Sequence, residues 1–131
     1  MDDKIIIDIS NTFDLSDYGG RHVAAETSVA QEIAEVTGDA NPVFKAFSTI
    51  FGAVLSRNEQ MDALFAGNDG SAKDEVTAFI ESLGLRAVYA GPLVMARVLE
   101  EIGLLVMGLG RWGEKNYDFS LAVRKGTDAD V

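Results

Sequence analysis

The sequence has no cysteine and only two prolines among its 131 residues. Without thiols, the chain can form neither a disulfide framework nor a thiolate metal site, which is compatible with the reducing cytoplasm where we expect it. Basic residues are few as well: the chain has 11 lysine and arginine residues and 21 aspartate and glutamate residues, so its formal net charge is -10. Such a charge repels phosphate backbones and anionic lipids, so neither nucleic acid nor a membrane surface is an expected partner.

The sequence also lacks an apolar run long enough to span a membrane. The most apolar stretch, residues 102–110, has nine residues, whereas a transmembrane helix needs about 20. We interpret this stretch as part of a buried helix. The short acidic start, residues 1–4, has none of the basic and apolar regions of a secretory signal, so we expect no export.

The composition is that of an ordinary globular domain. Hydrophobic residues make up 47% and charged residues 24% of the chain, and these proportions argue against wholesale disorder. A chain of this length buries roughly two thirds of its unfolded surface around one core. We therefore expect one domain over residues 1–125 and a frayed tail over residues 126–131.

Four short segments have the character of β-strands. KIIIDIS (residues 4–10) is a continuous β-branched run, typical of a strand that is covered on both faces in a parallel sheet. VFKAFST (residues 43–49), DALFAG (residues 62–67) and RAVYA (residues 86–90) are similar runs between polar or glycine-containing segments. A fifth segment, NYDFSLAVR (residues 116–124), alternates enough to predict a terminal edge strand.

Helical patterns separate these segments. Ser28 and Gln31 form a capping box at the start of one helix. The apolar face of a second helix is expected to contain Val76, Phe79, Ile80 and Leu83, and Gly84 is expected to end that helix. The alternation of strands and helices predicts an α/β fold, in which a parallel sheet of about four strands carries helices on its faces.

The last predicted helix, residues 93–109, is apolar on all sides, and two interpretations of it stay open. It is either buried within its own domain or a homodimer interface, where Gly103 and Gly108 would allow a second helix to approach closely. The adjacent Glu100 and Glu101 are interpreted as solvated surface, because neighbouring residues do not face each other on a helix. Both glutamates are therefore expected to carry no mechanism.

In open parallel sheets, ligands bind beyond the carboxyl ends of the strands. This rule directs attention to four loops, at residues 10–12, 48–50, 67–69 and 91–93. For residues 67–69 we favour a structural role, because turns between strands and helices use such residues for geometry and capping. The lone histidine, His22, has no second ligand-type residue clustered beside it and is interpreted as an exposed loop residue.

One motif of nucleotide-binding folds is missing from the sequence. No G-x-G-x-x-G follows a strand, and the one G-x-G, at Gly108 and Gly110, follows a predicted helix. The glycine-rich turn that places a pyrophosphate at a helix N-terminus is therefore absent. Tight binding of a dinucleotide by this chain alone is not expected.

Several ordered segments resemble the deazaflavin (coenzyme F420) dependent NADP oxidoreductase family. KIIIDISNTF, SVAQEIAEV, VFKAFSTI, DALFAGND and AGPL occur in the order in which the family has its second half, so the resemblance covers about residues 4–122. It implies the second half of a Rossmann-like NAD(P)-binding domain. It also implies hydride transfer between NADPH and F420 or a flavin-like acceptor, with the cofactors supplying the chemistry.

The resemblance also implies where the ligands would lie. The nicotinamide end of NADP would lie beside two strand ends, and the residues concerned are Ser10, Asn11, Thr12, Phe47, Ser48 and Thr49. A third loop would shape the acceptor pocket, and its residues are Gly91, Pro92 and Leu93. No catalytic side chain is assigned, because the sequence has no clear nucleophile and base pair or cluster of metal ligands.

Two positions depart from the family pattern. The turn after the first strand commonly reads Asn-Pro-Leu in the family but is Asn11-Thr12-Phe13 here, which removes the proline that restricts the backbone. Ser48 stands where relatives often have asparagine, so a short hydroxyl replaces an amide with both a donor and an acceptor. Either change would retune or abolish contacts with the nicotinamide.

The missing first half leads to two hypotheses about function. In the first, the chain is an incomplete oxidoreductase that needs a separate nucleotide-binding half or a second copy to cover the edge of the KIIIDIS strand. Uncovered, that edge is expected to expose Ile5, Ile6 and Ile7. In the second hypothesis, the chain is a non-catalytic oligomerisation or regulatory module derived from the same family.

Overall fold

The computed structural model describes residues 4–11, 13–14, 17–21, 27–57 and 59–126. Of the sequence-based assignments, those for Thr12, His22 and the tail beyond Gly126 lie outside this range. Within it, the strands are β1 (Ile6–Asp8), β2 (Phe13–Asp14), β3 (Asp17–Arg21), β4 (Val43–Ala46), β5 (Asp62–Gly67) and β6 (Arg86–Tyr89).

Four helices accompany these strands in the described part of the chain: α1 (Val29–Thr37), α2 (Gly52–Leu55), α3 (Ser71–Ser82) and α4 (Ala96–Gly108). A short 3-10 turn, Leu93–Met95, leads into α4, and a π-helical turn, Leu109–Gly113, extends it. The predicted order of strands and helices is confirmed up to the end of α4, except that β2 and β3 were not predicted. The predicted α/β class is confirmed with it.

The order of strands in the main sheet is β1-β4-β5-β6, and β2 and β3 form a separate antiparallel pair. β1 pairs with β4 in parallel, as does β5 with β6. β4 and β5, however, run antiparallel, with Phe44 opposite Gly67 and Ala46 opposite Phe65. The expectation of an entirely parallel sheet is therefore wrong at this pair.

The reason lies in the connection between β4 and β5. Among its described residues, the only helix is α2, which has four residues and therefore rises about 6 Å along its axis. It does not carry the chain back along the sheet as the longer helix of a parallel crossover does. The consequence is that the carboxyl ends of β1 and β4 lie at one edge of the sheet, and those of β5 and β6 lie at the opposite edge. The four loops singled out in the sequence cannot all meet in one cleft.

The two faces of the sheet carry separate cores. One core contains Phe44, Phe65, Val76 and Ile80, which are all at most 1% exposed, and α3 packs against it. The opposite face carries a smaller cluster where α1 and α4 pack, and its members are Ala30, Val43, Leu93 and Ala96. Burying each large apolar side chain contributes about 1.5–3 kcal/mol relative to leaving it exposed.

β1 lies at the edge of the described sheet, yet its isoleucines are not fully exposed. Ile5 and Ile7 pack against the first core and Ile6 against the second, so all three are partly buried. The expected exposure of these side chains is wrong, because strand side chains point to the two faces and not out of the edge. The edge exposes main-chain groups instead. The amide of Ile6 donates to the carbonyl of Pro42 at 2.9 Å, so the main-chain groups of Ile6 face β4. The main-chain amide and carbonyl of the next residue, Ile7, therefore point away from β4.

Local signals at the helix ends are confirmed. The Ser28 hydroxyl accepts a hydrogen bond from the amide of Gln31 at 3.1 Å, and it also lies 2.9 Å from the Gln31 side-chain oxygen. Gly84 follows α3 at a φ of 82°, a conformation that glycine adopts without strain. These signals explain why α1 begins and α3 ends where the sequence predicts. The predicted apolar face of α3 is only partly right, because Val76 and Ile80 are buried whereas Phe79 and Leu83 are 46% and 43% exposed.

The predicted strand at residues 116–124 is wrong. The structure describes this whole segment, and it is irregular. It is held by side chains: the ring of Phe51 meets Tyr117 and Phe119 edge to face, with centroids 5.2 and 5.3 Å apart. Near its end, the amide of Val123 donates to the carboxylate of Asp62 at 2.6 Å.

Candidate functional site

The edge where β1 and β4 end brings two of the predicted loops together. Asn11 follows β1, Ser48 and Thr49 follow β4, and all three line one small cavity. The cavity has a volume of about 60 Å³, and its other lining residues are Ile50, Phe51, Gly103, Val106 and Met107. This volume is far below the roughly 300–1,000 Å³ of a complete ligand pocket, so the cavity suits one small group and not a whole cofactor.

A strained turn at the end of β4 directs Ser48 and Thr49 towards this cavity. Phe47 adopts a φ of 64°, and its carbonyl accepts a hydrogen bond from the amide of Ile50 at 3.3 Å. A bulky residue rarely occupies this left-handed region, and such strain occurs mainly at functional sites. The turn also explains why β4 stops at Ala46, three residues before the end predicted from the sequence.

The hydroxyl of Thr49 is the most unusual group in the cavity. Thr49 is 1% exposed, and its Oγ1 has no hydrogen-bond partner among the described residues. Leaving a buried hydroxyl unpaired costs about 1–3 kcal/mol. A ligand group that hydrogen-bonds this hydroxyl would recover that energy. Ser48 is also buried, and its hydroxyl lies 3.5 Å from the Leu99 carbonyl, a distance at which a hydrogen bond is weak.

Gly103 of α4 lets the helix pass close to this edge. A Cβ atom at this position would lie 2.6 Å from Asn11 Oδ1 and 3.0 Å from the Ser48 carbonyl oxygen. Gly103 therefore makes room for the loops of its own domain. Gly108 is different, because the nearest atoms to a Cβ there belong to Trp112 at 3.7 Å. Of the two interpretations of the long helix, burial in its own domain is confirmed for this face, on which Leu99 and Val106 are at most 2% exposed.

A charged cluster lies directly beneath the loop after β1. Lys45, in the middle of β4, is fully buried, which is rare for a lysine. Its ammonium nitrogen lies 2.5 Å from Asp8 Oδ2, 3.0 Å from Glu100 Oε2 and 2.5 Å from the carbonyl oxygen of Ser10. Asp8 in turn accepts hydrogen bonds from the Ser10 amide and hydroxyl, at 3.0 and 2.7 Å.

Glu100 links this cluster to the start of α1. It is fully buried, and its two carboxylate oxygens accept hydrogen bonds from the amides of Val29 and Ala30, at 3.1 and 3.3 Å. A carboxylate at a helix N-terminus also interacts favourably with the helix dipole. The interpretation of Glu100 as solvated surface is therefore wrong, whereas Glu101 is exposed as expected.

Sequence reasoning missed these three charged residues, although the sequence contained a signal. Asp8 and Lys45 each interrupt an otherwise apolar strand, Glu100 lies in a largely apolar helix, and their charges are complementary. A charge inside a buried element needs a partner of opposite sign. The predicted strands and helix could therefore have suggested that these three residues pair.

The third predicted group of binding residues lies at the opposite edge of the sheet. The Gly91 carbonyl accepts a hydrogen bond from the amide of Gly67 at 3.0 Å, and the Leu93 amide donates to Asn68 Oδ1 at 3.2 Å. Pro92 precedes the 3-10 turn. Asn68 therefore holds this turn in place, in agreement with the structural role favoured for residues 67–69. Because β4 and β5 are antiparallel, these residues do not join Asn11 and Thr49.

A second charged pair lies where β5 and β6 begin. Arg86 donates from Nε and Nη2 to the two carboxylate oxygens of Asp62, at 2.7 and 2.6 Å. These hydrogen bonds hold the pKa of Asp62 below its ordinary value, burial opposes them, and the hydrogen bond from the Val123 amide lowers the pKa further. Arg86 Nη2 also donates to the Val123 carbonyl at 2.7 Å. The pair thus fastens the end of the irregular segment.

The described part of the chain lacks both a metal-binding cluster and a membrane-spanning helix. It contains no group of three or more histidine, cysteine, aspartate and glutamate residues arranged to hold a metal ion. None of its helices combines the length and hydrophobicity needed to cross a bilayer.

Comparison with solved structures identifies the architecture. The chain is similar to a proposed F420-dependent NADP reductase from Arthrobacter sp. FB24, with a TM-score of 0.80 and 21% sequence identity. It shares the reductase fold. The similarity covers 95% of this chain and 59% of that protein, so the predicted Rossmann-like α/β fold is confirmed.

A hypothetical protein from Sinorhizobium meliloti is also similar, with a TM-score of 0.66 and 22% identity over 92% of this chain and 55% of that one. The chain therefore spans little more than half the length of either protein. At these identities the likeness establishes the fold alone. No protein-family model and no curated protein matches the sequence.

Proposed function

We propose that this chain is the nicotinamide-side part of an oxidoreductase that transfers hydride between NADPH and F420 or a flavin-like acceptor. The observation that supports this most directly is the unpaired, buried Thr49 hydroxyl in a cavity that Asn11 and Ser48 also line. A carboxamide offers both donors and an acceptor to such groups. The cavity has room for a group of that size, with the ring outside its mouth.

The residues present fit this group, and their contribution is to bind and orient it. Thr49 and Asn11 would hold the carboxamide, while Ile50, Val106 and Met107 would keep water from its surroundings. The bound cofactors supply the hydride chemistry itself. Orientation of this kind accounts for a large part of catalysis when two bound rings must react.

The phosphates of the cofactor need a second element. The sequence has no glycine-rich pyrophosphate turn, and β1 ends the described sheet with unpaired main-chain groups. We propose that a nucleotide-binding half pairs with β1, supplied by another polypeptide segment or by a second copy of this chain. Acceptor binding by Gly91, Pro92 and Leu93 stays a prediction, because they lie at the other edge of the sheet.

The test of the proposed function is a binding experiment with two probes. NADPH is titrated into the purified chain while its fluorescence is recorded, and nicotinamide mononucleotide is titrated while the amide signals of the chain are followed by NMR. We expect weak binding of both probes, with the signals of Asn11, Ser48 and Thr49 perturbed. Perturbations confined to other parts of the sheet would refute the assignment.

Replacing Thr49 by valine separates binding from stability. The Thr49→Val variant keeps the shape of the side chain and removes the unpaired hydroxyl, so we expect the chain to become more stable by about 1 kcal/mol. Binding of nicotinamide mononucleotide is expected to weaken at the same time. Denaturant unfolding and the NMR titration measure the two effects. The matched control is Thr77→Val in α3, because the Thr77 hydroxyl has a partner: it donates to the Lys73 carbonyl at 2.9 Å. A loss of stability in Thr49→Val would show that the hydroxyl has a partner.

A second candidate function, an oligomerisation module, is favoured by the outer side of α4 and its flanking turns. Val94, Leu105 and Trp112 are 55%, 55% and 60% exposed, and large apolar side chains on one helix are typical of interfaces. If the chain dimerises there, Leu105→Glu is expected to raise the dimer dissociation constant about tenfold or more. Sedimentation measures this, with Val36→Glu on α1 as a control that is also exposed. A wild-type chain that sediments as a monomer at high micromolar concentration would exclude this function.

A further inference from the structure

The buried lysine of β4 has a contact that the ion pairs alone do not explain. An ammonium group has three protons to donate, and Lys45 Nζ lies within 3.0 Å of three acceptors. Two of them are the carboxylates of Asp8 and Glu100. The third is a main-chain carbonyl, that of Ser10, which lies in the loop after β1 and immediately before Asn11.

Ser10 is held at every polar atom that the structure describes for it. Its amide and hydroxyl donate to Asp8 Oδ1, and its carbonyl accepts from Lys45. Ser10 and Asn11 are nevertheless exposed, and exposed loops of this kind are ordinarily mobile. The hydrogen bonds therefore supply the order that burial does not.

The neighbouring residue makes this order relevant to the cavity. Asn11 lines the cavity beside Thr49, and its Oδ1 lies against the space that Gly103 leaves free. A shift of the Ser10 main chain would move Asn11 with it. Groups that bind a reacting molecule must be held within fractions of an ångström of their working positions.

We infer that Lys45 is a positioning residue: it fixes the loop after β1 through the Ser10 carbonyl and thereby sets the position of Asn11 at the cavity. Its link to ligand binding rests on the proposed function. Its effect on the loop does not. Glu100 has a separate role, because it balances the charge of Lys45 and accepts hydrogen bonds from the amides of Val29 and Ala30 at the start of α1.

The test compares two variants that differ only at position 45. Lys45→Met alone leaves two buried carboxylates without a cation, so it is expected to unfold readily. Glu100→Gln is therefore used as the reference, and Lys45→Met/Glu100→Gln as the test variant. In the double variant only one buried carboxylate remains, that of Asp8, and it keeps the hydrogen bonds from the Ser10 amide and hydroxyl.

The first readout is hydrogen exchange of the Ser10 amide, measured by NMR without any ligand. We expect exchange at Ser10 to be about tenfold or more faster in the double variant than in Glu100→Gln, because a hydrogen bond to a charged group has been lost. Amides of α3 should exchange equally in the two variants after correction for global stability. Equal exchange at Ser10 would overturn the inference.

The second readout is the affinity for nicotinamide mononucleotide, which we expect to be about tenfold lower in the double variant than in Glu100→Gln. If neither the wild type nor the variants bind this probe, the proposed function fails, and the exchange result still decides the role of Lys45. If the probe binds equally to both variants while Ser10 exchanges faster, Lys45 orders the loop but does not position Asn11, and the inference is overturned.

Discussion

The two halves of the sheet are built on different physical principles. Beneath β5 and β6, the buried side chains are apolar, and the charged pair of Asp62 and Arg86 lies at the margin, with the Arg86 side chain 39% exposed. Beneath β1 and β4, Lys45 and Glu100 are fully buried and Thr49 has an unpaired hydroxyl. One half thus has an ordinary core, and the other combines its core with a polar centre.

The difference indicates where the function of the molecule lies. Burying an ion pair is rarely more stabilising than burying apolar side chains of similar volume, because both charges lose their hydration. Positions that break the usual rules of core composition are expected at functional sites. The polar centre contacts the loop after β1 through Lys45 and the Ser10 carbonyl, so we attribute its cost to the positioning of Asn11.

The largest expected difference between the two halves follows from replacing Lys45 alone. Lys45→Met should lower the free energy of unfolding by about 3–5 kcal/mol, because it leaves two carboxylates buried without a cation. In the apolar half, Ile80→Ala should cost about 2–5 kcal/mol through the cavity it creates. Urea unfolding measures both changes.

The two variants are distinguished by a compensating change. Adding Glu100→Gln to Lys45→Met removes one of the two orphaned carboxylates, so stability should partly return, whereas adding it to Ile80→Ala should not help. If Lys45→Met were as stable as the wild type, the buried cluster could not be ionised as the contacts imply. In that case the contrast between the two halves would disappear.

The sequence is informative about the apolar half and much less so about the polar one. Val76, Ile80 and Gly84 define α3 locally, because helical spacing and a terminal glycine are visible within a few residues. The contact of Lys45 with Glu100 joins residues 55 positions apart in the chain, and nothing within either segment specifies it. Each charge is visible in the sequence, but its partner is determined by the packing of α4 on the sheet.

The relative direction of β4 and β5 could not be predicted from the sequence for a similar reason. Residues 43–49 and 62–67 were both predicted as strands, and strands are confirmed over residues 43–46 and 62–67. Their antiparallel pairing is decided by the connection between them. The irregular segment at residues 116–124 was misassigned because alternation alone favours a strand. In the structure, its alternate side chains meet Phe51 and its main chain meets Asp62 and Arg86, so no neighbouring strand is needed.

A smaller effect is expected from a substitution at the boundary between α4 and the cavity. Gly103→Ala would place a methyl group against Asn11 and the Ser48 carbonyl, and overpacking of this kind costs about 1–3 kcal/mol. Gly108→Ala is the matched control, because both variants gain the same helix propensity, about 1 kcal/mol. The difference between their unfolding free energies should therefore be about 1–3 kcal/mol, and only Gly103→Ala should weaken binding of nicotinamide mononucleotide. Equal stability and equal binding in the two variants would mean that Gly103 does not limit the approach of α4.

The smallest expected effect belongs to the charged pair of the apolar half and depends on pH. Because the pKa of Asp62 in the folded chain lies below its ordinary value of 3.8, the stabilisation by its ionised form is fully present above that value. It is lost as the pH falls through the lower, folded pKa. Asp62→Asn removes this dependence, so the gap in stability between the variant and the wild type should narrow on acidification below about pH 4.

Urea unfolding at a series of pH values measures this gap. Asp69→Asn is the matched control, because the Asp69 side chain is 83% exposed and its contacts, with Lys73 and the Gly70 amide, are local. The Asp62→Asn variant should also loosen the segment around Val123, because the Val123 amide and carbonyl bind Asp62 and Arg86. Hydrogen exchange in residues 120–126 should therefore increase, while Ser10 and Asn11 keep their protection. If the loop after β1 loosened as well, the two halves would be coupled through the sheet, and the polar centre could not be treated as an independent device for positioning the site.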